Sequence, residues 1–249
     1  MTKSNGAILW RGPSELDGKP IVVIATGLGK SSRNSKTGDL VQTWILREDV
    51  SPTDAVNSGD DASICGACPH RGTIENGRNV SRSCYVTIFQ APLNVWKSYH
   101  RGIYPQATNE TLAGRKIRLG AYGDPAAVPV DVWQALLANS LSGTGYTHQW
   151  RDCAPAFAQW VMASCDDQED SFDAAVLGYR TFRVTALDSR RDKQAGEVVC
   201  PASEEAGKKT NCASCLACGG TNAKAKANIV ITVHGAAGKV NAVKARINA

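Results

Sequence analysis

Residues 116–137 of the chain read KIRLGAYGDPAAVPVDVWQALL. The first seven residues predict a strand, and the polar turn Gly123-Asp124-Pro125 follows it directly. From Pro129 to Leu137 the apolar residues recur at helical spacing. A strand that leads through a turn into a helix is the unit from which parallel α/β folds are built. This stretch therefore predicts the fold class α/β.

The same alternation extends on both sides of this unit. Further strands are predicted at 84–89, 145–150, 159–164, 180–186, 197–199 and 228–233, and further helices at 93–99 and 171–177. Their number predicts an incomplete or complete parallel β/α barrel, with a doubly wound sheet as the alternative. In both folds the functional site forms where the strands end. The residues at or just past the ends of the predicted strands are Asp124, His148, Cys165, Asp166, Cys200 and His234.

The chain divides into three parts by pattern. Residues 1–60 contain two strand-like segments, 20–26 and 42–46, and predict a small β-rich unit packed on the main domain. Residues 61–235 form the β/α domain that carries the cysteines. Residues 236–249 form a basic C-terminal tail.

Composition places the chain among ordinary folded proteins, with 43% hydrophobic and 20% charged residues in a length of 249. The longest apolar stretches have the length of a strand, which excludes a predicted bilayer span. The first residues lack the order of a secretory signal, so we predict a cytoplasmic protein.

Positive charge is concentrated near the C-terminal end. Residues 206–249 contain seven basic residues and no acidic ones, although the whole chain has a net charge of only +5. Such a segment is typical of polyanion binding, so nucleic acid is a predicted partner, and a solubilising tail is the alternative.

Nine cysteines cannot all pair with one another, and a reducing compartment would keep them as thiols. Seven of them fall into two tight groups. These are Cys65, Cys68 and Cys84 in the first, and Cys200, Cys212, Cys215 and Cys218 in the second. Crowded thiolates commonly share a cation, so the pattern favours metal over disulfides.

The second group has the stronger motif. Cys212, Cys215 and Cys218 form C-x-x-C-x-x-C, and Cys200-Pro201 supplies a fourth cysteine. A bacterial ferredoxin cluster uses the same pieces, and the spacing also suits tetrahedral zinc. The predicted cofactor is a 4Fe–4S iron–sulfur cluster or zinc.

The first group offers three thiols and a nearby imidazole, His70. If His70 is the fourth ligand, the site is a closed structural zinc site. If it is not, one coordination position stays open, which is a catalytic arrangement. Cys153 and Cys165 fit neither group and are interpreted as free thiols, with Cys165 as a possible further ligand.

Asp124 and His148 are the candidate acid–base residues, because both lie at the ends of neighbouring predicted strands. The alternative interpretation is a turn-capping aspartate and a hydrogen-bonded histidine.

Four short motifs together resemble a known family. They are C-x-x-C-P-H-R from Cys65, S-C-Y-V around Cys84, R-L-G-A-Y-G-D-P ending at Pro125, and Cys200-Pro201 before the last cysteines. They are similar to the mycobacteriophage gene product 88 proteins, a group of phage and prophage proteins. The likeness covers about residues 60–220, and it implies a protein that acts in the cytoplasm of a bacterial host.

A cysteine group ending in Cys84-Tyr85 ahead of β/α units also resembles radical S-adenosylmethionine barrels more distantly. That superfamily has a compact C-x-x-x-C-x-x-C, which this chain lacks.

Two classes of function are consistent with these patterns. The first is an iron–sulfur enzyme of radical type, with an open centre near Cys65 and a second centre near Cys200, acting on an unknown substrate. The second is a zinc-stabilised, non-catalytic phage protein that binds nucleic acid or a host protein. We favour the enzyme, because polar residues gather at the predicted strand ends.

Overall fold

The computed structural model describes residues 4–29 and 34–247. Strands and helices alternate along most of the chain, as the sequence predicts. The strands are β1 (Gly6–Pro13), β2 (Pro20–Thr26), β3 (Val41–Arg47), β4 (Thr73–Glu75), β5 (Arg78–Val80), β6 (Lys116–Tyr122), β7 (Ser142–Thr144), β8 (Tyr146–Thr147), β9 (Met162–Cys165), β10 (Thr181–Thr185), β11 (Glu197–Val199) and β12 (Asn228–Thr232). The helices are α1 (Pro52–Ser58), α2 (Ala62–Cys65), α3 (Ala91–His100), α4 (Val130–Leu137), α5 (Gln168–Val176), α6 (Ser189–Asp192), α7 (Cys212–Cys215) and α8 (Ala237–Ile247).

The first sheet has the strand order β1-β2-β3-β6-β7. Strands β1, β2 and β3 pair antiparallel, whereas β3, β6 and β7 run parallel. Residues 21–25 in β2 are completely buried, as expected for a central strand that is covered on both faces. The N-terminal strands therefore share one sheet with strands of the predicted main domain.

The second sheet has the order β11-β12-β10-β9-β8, and its strands are parallel. Gly145 alone separates β8 from β7, the last strand of the first sheet. The backbone of Gly145 bonds to two other segments. Its N–H donates to Cys218 O at 3.1 Å, and its carbonyl accepts from Met162 N, at the start of β9, at 3.0 Å. A single glycine thus connects the last strand of the first sheet to the first strand of the second sheet.

The α/β fold class is confirmed, but the strands in the described ranges do not form a closed barrel. Strand β1 lies at the outer edge of the first sheet, and the three-residue β11 lies at the outer edge of the second. The N-terminal strands extend the first sheet by antiparallel pairing, where a closed barrel would need another parallel strand. The prediction of a complete barrel is therefore wrong.

Two predicted elements differ in the structure. Residues 84–89 are irregular, and the Arg82 guanidinium donates to the carbonyls of Cys84 and Val86 at 3.1 and 3.3 Å. Those side-chain bonds take the place of strand pairing there. The predicted tail contains helix α8, which buries Val243. Within the described ranges, every helix is too short or too polar to cross a lipid bilayer.

Candidate functional site

The first cysteine group is assembled by a short helix and the turn after it. Cys65 is the last residue of α2, and Cys68 precedes a 3-10 turn at Pro69–Arg71. The carbonyl of His70, in that turn, accepts hydrogen bonds from Ser83 N at 3.2 Å and Cys84 N at 2.9 Å. This pair of bonds brings Cys84 back to the turn, although it lies far along the chain from Cys68.

The thiols of this group affect one another electrostatically. Burial is the main cause that raises the pKa of Cys65 and Cys68 far above the ordinary thiol value. The neighbouring Cys84 raises the pKa of both thiols further. Cys65 and Cys68 therefore favour the neutral form without a cation, and a bound metal ion would reverse that preference.

The second cysteine group lies on a loop that several segments anchor. Cys200 follows β11, Cys212 and Cys215 are the two ends of α7, and Cys218 comes three residues later. The Asn211 side chain caps α7 by accepting from Ser214 N at 3.0 Å. Cys212 N donates to Lys36 O at 2.9 Å, which ties the loop to residues before β3.

Close packing of backbone holds the end of this loop. Gly219 and Gly220 leave no room for a side chain: a Cβ would lie 2.6 Å from Gly143 O at the first and 2.4 Å from Ala158 O at the second. Gly220 also has a φ of +60°, which favours glycine. The Gly-Gly pair after Cys218 therefore lets the loop approach β7 and its neighbours closely.

Burial also raises the pKa of the thiols in the second group. The pKa of Cys218 rises to about 12, and neighbouring thiols contribute to the rise. Burial raises the pKa of Cys200 and Cys212 as well, although the positive charge of Lys36 opposes this for both. These thiols also favour the neutral form in the absence of a cation.

Both groups open onto one cavity of about 440 Å³. Strands β6 to β10 and β12 contribute to its wall, and the cysteines lie around it. The lining includes Cys65, Cys68, Cys84, Cys200, Cys212, Cys215 and Cys218, together with His70, Asp124 and His148. A volume of this size suits a small-molecule ligand. The structure thus brings every predicted site residue to the same cavity.

His70 lies at this cavity, but other residues engage both of its ring nitrogens. Nδ1 lies 2.8 Å from Ser83 Oγ, and Nε2 lies 3.1 Å from Asp166 Oδ1. Arg246, near the end of α8, donates to the same Asp166 oxygen at 3.0 Å. Burial alone would raise the pKa of Asp166, but His70 and Arg246 hold it below its usual value.

Asp124 and His148 meet through the backbone. Asp124 Oδ1 accepts from Ala126 N at 3.0 Å, and Oδ2 accepts from His148 N at 2.8 Å. The aspartate therefore caps its turn, as the alternative interpretation stated. His148 Nε2 is buried and has no hydrogen-bond partner among the described residues. Burial, with a smaller contribution from His70, lowers the pKa of His148 to about 4.

No sequence motif assigns Asp166, Ser83 or Arg246 to the site. Asp166 directly follows β9, so its place after a predicted strand is the one usable signal. Arg246 was counted only as a part of the basic tail. No local pattern indicates that it reaches Asp166, because the two residues are 80 positions apart.

Cys153, Cys165 and the basic residue Lys239 contact residues outside the two cysteine groups. Cys153 Sγ lies 3.2 Å from Tyr179 Oη, and Cys165 Sγ lies 3.6 Å from Ala163 O. No disulfide is formed by any of the nine cysteines, all of which lie in the described part of the chain. In the basic segment, Lys239 Nζ donates to Val86 O at 3.2 Å.

Comparison with known proteins finds no matching family model, curated protein or solved structure. The resemblances to phage proteins and to radical-type barrels stay predictions. The site is defined by its own geometry: a mixed α/β fold in which two cysteine groups face one cavity.

Proposed function

We propose that this protein is an iron–sulfur enzyme in which two cysteine-ligated centres flank one substrate cavity. The observation that carries the proposal is the shared cavity, since cysteines from two distant parts of the sequence line it. An iron–sulfur centre supplies one-electron chemistry when it is bound. The protein itself contributes the ligands, the binding volume and the exclusion of water.

Burial of the thiols supports metal in both groups. Neutral thiols that lie close together stabilise one another only weakly. A shared cation would stabilise them as thiolates and offset the effect of burial, which raises their pKa values. Cys153 and Cys165 differ, because neither residue lines the cavity that the other seven cysteines share. We therefore assign metal to seven cysteines and leave these two as ordinary thiols.

The sulfur spacing bears on the choice between a cluster and a single zinc ion. Around tetrahedral zinc, with zinc–sulfur distances of about 2.3 Å, the sulfurs lie about 3.8 Å apart. No three cysteine sulfurs in the described chain lie within 4.8 Å of one another. A cubane cluster is larger than one ion and holds its thiolates farther apart, so this spacing is compatible with 4Fe–4S centres.

The two centres are proposed to differ in coordination. The second group offers four cysteines and forms a closed centre. The first group offers three, and His70 is bonded to Ser83 and Asp166. One position of the first centre therefore stays open toward the cavity, which is where a substrate or an exogenous ligand would bind.

The proposal extends to the arrangement of the two sheets as an incomplete barrel. If β7 and β8 act as one strand bent at Gly145, the two sheets become one incomplete barrel around the cavity. The edge positions of β7 and β8 in their sheets support this arrangement. The cysteines would then lie at the open side of a curved parallel sheet.

The alternative of a zinc-stabilised protein that binds nucleic acid or a host protein has less support. Of the basic residues near the C-terminal end, Lys239 and Arg246 donate to groups inside the protein. Fewer positive charges are then available for phosphate contacts than the sequence suggests.

Metal analysis of matched cysteine variants tests the proposal. We expect anaerobically purified protein to be brown and to contain iron and acid-labile sulfide, and Cys68→Ser and Cys215→Ser each to lose about half of the iron. The control Cys153→Ser removes a thiol outside both groups and should keep the full content. An added small ligand should perturb the spectrum of Cys215→Ser, which keeps the open centre, and leave that of Cys68→Ser unchanged. Colourless protein with stoichiometric zinc would overturn the proposal in favour of the zinc alternative.

A further inference from the structure

A second set of potential metal ligands lies beside the cysteine groups. One ligand atom from each of His70, His148 and Asp166 lies within 4.8 Å of the other two. Within the described chain, this is the only group of three or more His, Cys, Asp or Glu residues that meets that distance. We propose that these three residues bind a divalent first-row transition-metal ion, separate from the cysteine-ligated centres.

The donor set defines the class of metal. Two imidazoles and one carboxylate are typical ligands of zinc and of non-haem iron, and three protein ligands leave positions open for water or substrate. No thiol belongs to this set of ligands, so the metal ions it prefers differ from those that the neighbouring cysteines prefer. Because His70 and His148 also line the cavity, an ion held here would face the same volume as the proposed clusters.

His148 provides the independent observation. Its Nε2 atom is buried and unpaired among the described residues. A buried polar atom without a partner costs free energy, and a metal ion at this atom would recover that cost. The backbone of His148 is fixed by the bond from its N–H to Asp124 Oδ2, so the ring is held beside His70.

His70 already has the supporting contact that metal-bound histidines show. Its Nδ1 lies 2.8 Å from Ser83 Oγ, while Nε2 faces Asp166. A hydrogen bond at one ring nitrogen fixes the tautomer and turns the other nitrogen toward the metal. Ser83 is therefore a positioning residue in this proposal, since it acts through His70.

Arg246 occupies the place of a cation at this site. Its Nη2 atom lies 3.0 Å from Asp166 Oδ1 and 3.5 Å from His70 Nε2. The same two atoms would bind the metal, so the guanidinium and the ion compete. Arg246 lies in the last turn of α8 and its side chain is 30% exposed, so it can move into solvent when the ion binds. Metal binding is then coupled to release of the Arg246 side chain from Asp166.

Cobalt binding to the full-length protein tests this site. The protein is prepared with its iron–sulfur centres filled, Co²⁺ is added, affinity is measured by equilibrium dialysis, and ligands are identified by cobalt-edge X-ray absorption. We expect one cobalt bound by nitrogen and oxygen only. His148→Gln should abolish this binding, and Ser83→Ala should weaken it by about 10- to 100-fold.

The competing arginine gives a test with the opposite sign. Arg246→Gln should bind cobalt more tightly than the unmodified protein, because the competing cation is gone. Lys244→Gln is the matched control, since it removes one positive charge from an exposed position on the same helix and should leave the affinity unchanged. Circular dichroism checks that each variant is folded.

Equal cobalt affinity in His148→Gln, Ser83→Ala and the unmodified protein would overturn the assignment, as would cobalt bound by sulfur alone. Failure of the proposed function is a separate result. It would appear as missing iron and sulfide before cobalt is added, and nitrogen- and oxygen-bound cobalt would still be recognised by its own bond distances.

Discussion

Asp124 joins three segments that carry residues of the site. Its backbone N–H donates to Ile64 O at 2.6 Å, next to Cys65, and its two carboxylate oxygens accept from Ala126 N and His148 N. The side chain is 6% exposed, so water does not replace these bonds. Through these contacts one aspartate fixes the end of β6, the end of α2 and the segment after β8 relative to one another.

Removal of this carboxylate should therefore reduce stability. Asp124→Ala leaves two backbone N–H groups without their acceptor, and we expect the free energy of unfolding to fall by about 1–3 kcal/mol. Urea unfolding followed by circular dichroism measures the change. Glu110→Ala, an exposed acidic position, is the control and should stay within about 0.5 kcal/mol. An Asp124→Ala protein whose free energy of unfolding also stays within about 0.5 kcal/mol would contradict the structural role.

Single residues were predictable from the sequence only where local spacing carries the signal. The cysteines and His70 stand in short motifs, and the structure brings them all to one cavity. Asp166 and Arg246 lie 96 and 176 positions from His70, so no spacing rule connects them to it. The capping role of Asp124 is predictable from the sequence, because an aspartate before a proline turn is a common cap.

The cysteine loop after β11 depends on a neighbouring strand. Arg180, just before β10, donates from Nη1 to Ala217 O at 2.7 Å and to Gly220 O at 2.9 Å. It also binds the carbonyls of Lys226 and Ala227. One planar guanidinium thus holds both ends of the segment between Cys218 and β12, which explains why an arginine is buried there.

Replacement of Arg180 should loosen that loop and the proposed closed centre. Lysine has a single ammonium group and cannot reach carbonyls that lie in several directions, so Arg180→Lys should lower stability by about 1.5–3 kcal/mol. We expect a chelator to strip iron faster from the Cys200 group and at an unchanged rate from the Cys65 group. Arg190→Lys, at a side chain that is 63% exposed, is the control. Equal stripping rates in both variants would contradict this role.

Elements with a strong period were predicted well, and short ones were not. Strand β6 and helix α4 lie where the segment 116–137 placed them, because the burial of their apolar residues follows the sequence pattern. Residues 84–89 have strand-like composition, yet Arg82 takes the carbonyls that a strand would pair. Side-chain contacts of this kind override local propensity and are invisible in a pattern of apolar residues.

At the scale of the whole molecule, the fold brings together residues whose proximity neither single residues nor single elements indicate. Two cysteine groups that lie more than a hundred residues apart face one cavity, because the parallel strands of both sheets surround it. Strand alternation predicted the α/β class, but not that an antiparallel N-terminal unit would extend the first sheet and leave it open. Closure of a barrel depends on the pairing of outer strands, which the sequence pattern does not specify.

Iron anomalous diffraction from crystals of the anaerobically purified protein tests this arrangement most directly. We predict two separate iron peaks on opposite sides of the cavity, one against Cys65, Cys68 and Cys84 and the other against the four cysteines of the second group. Absence of iron, a zinc signal at either group, or disulfides between these cysteines would contradict the account.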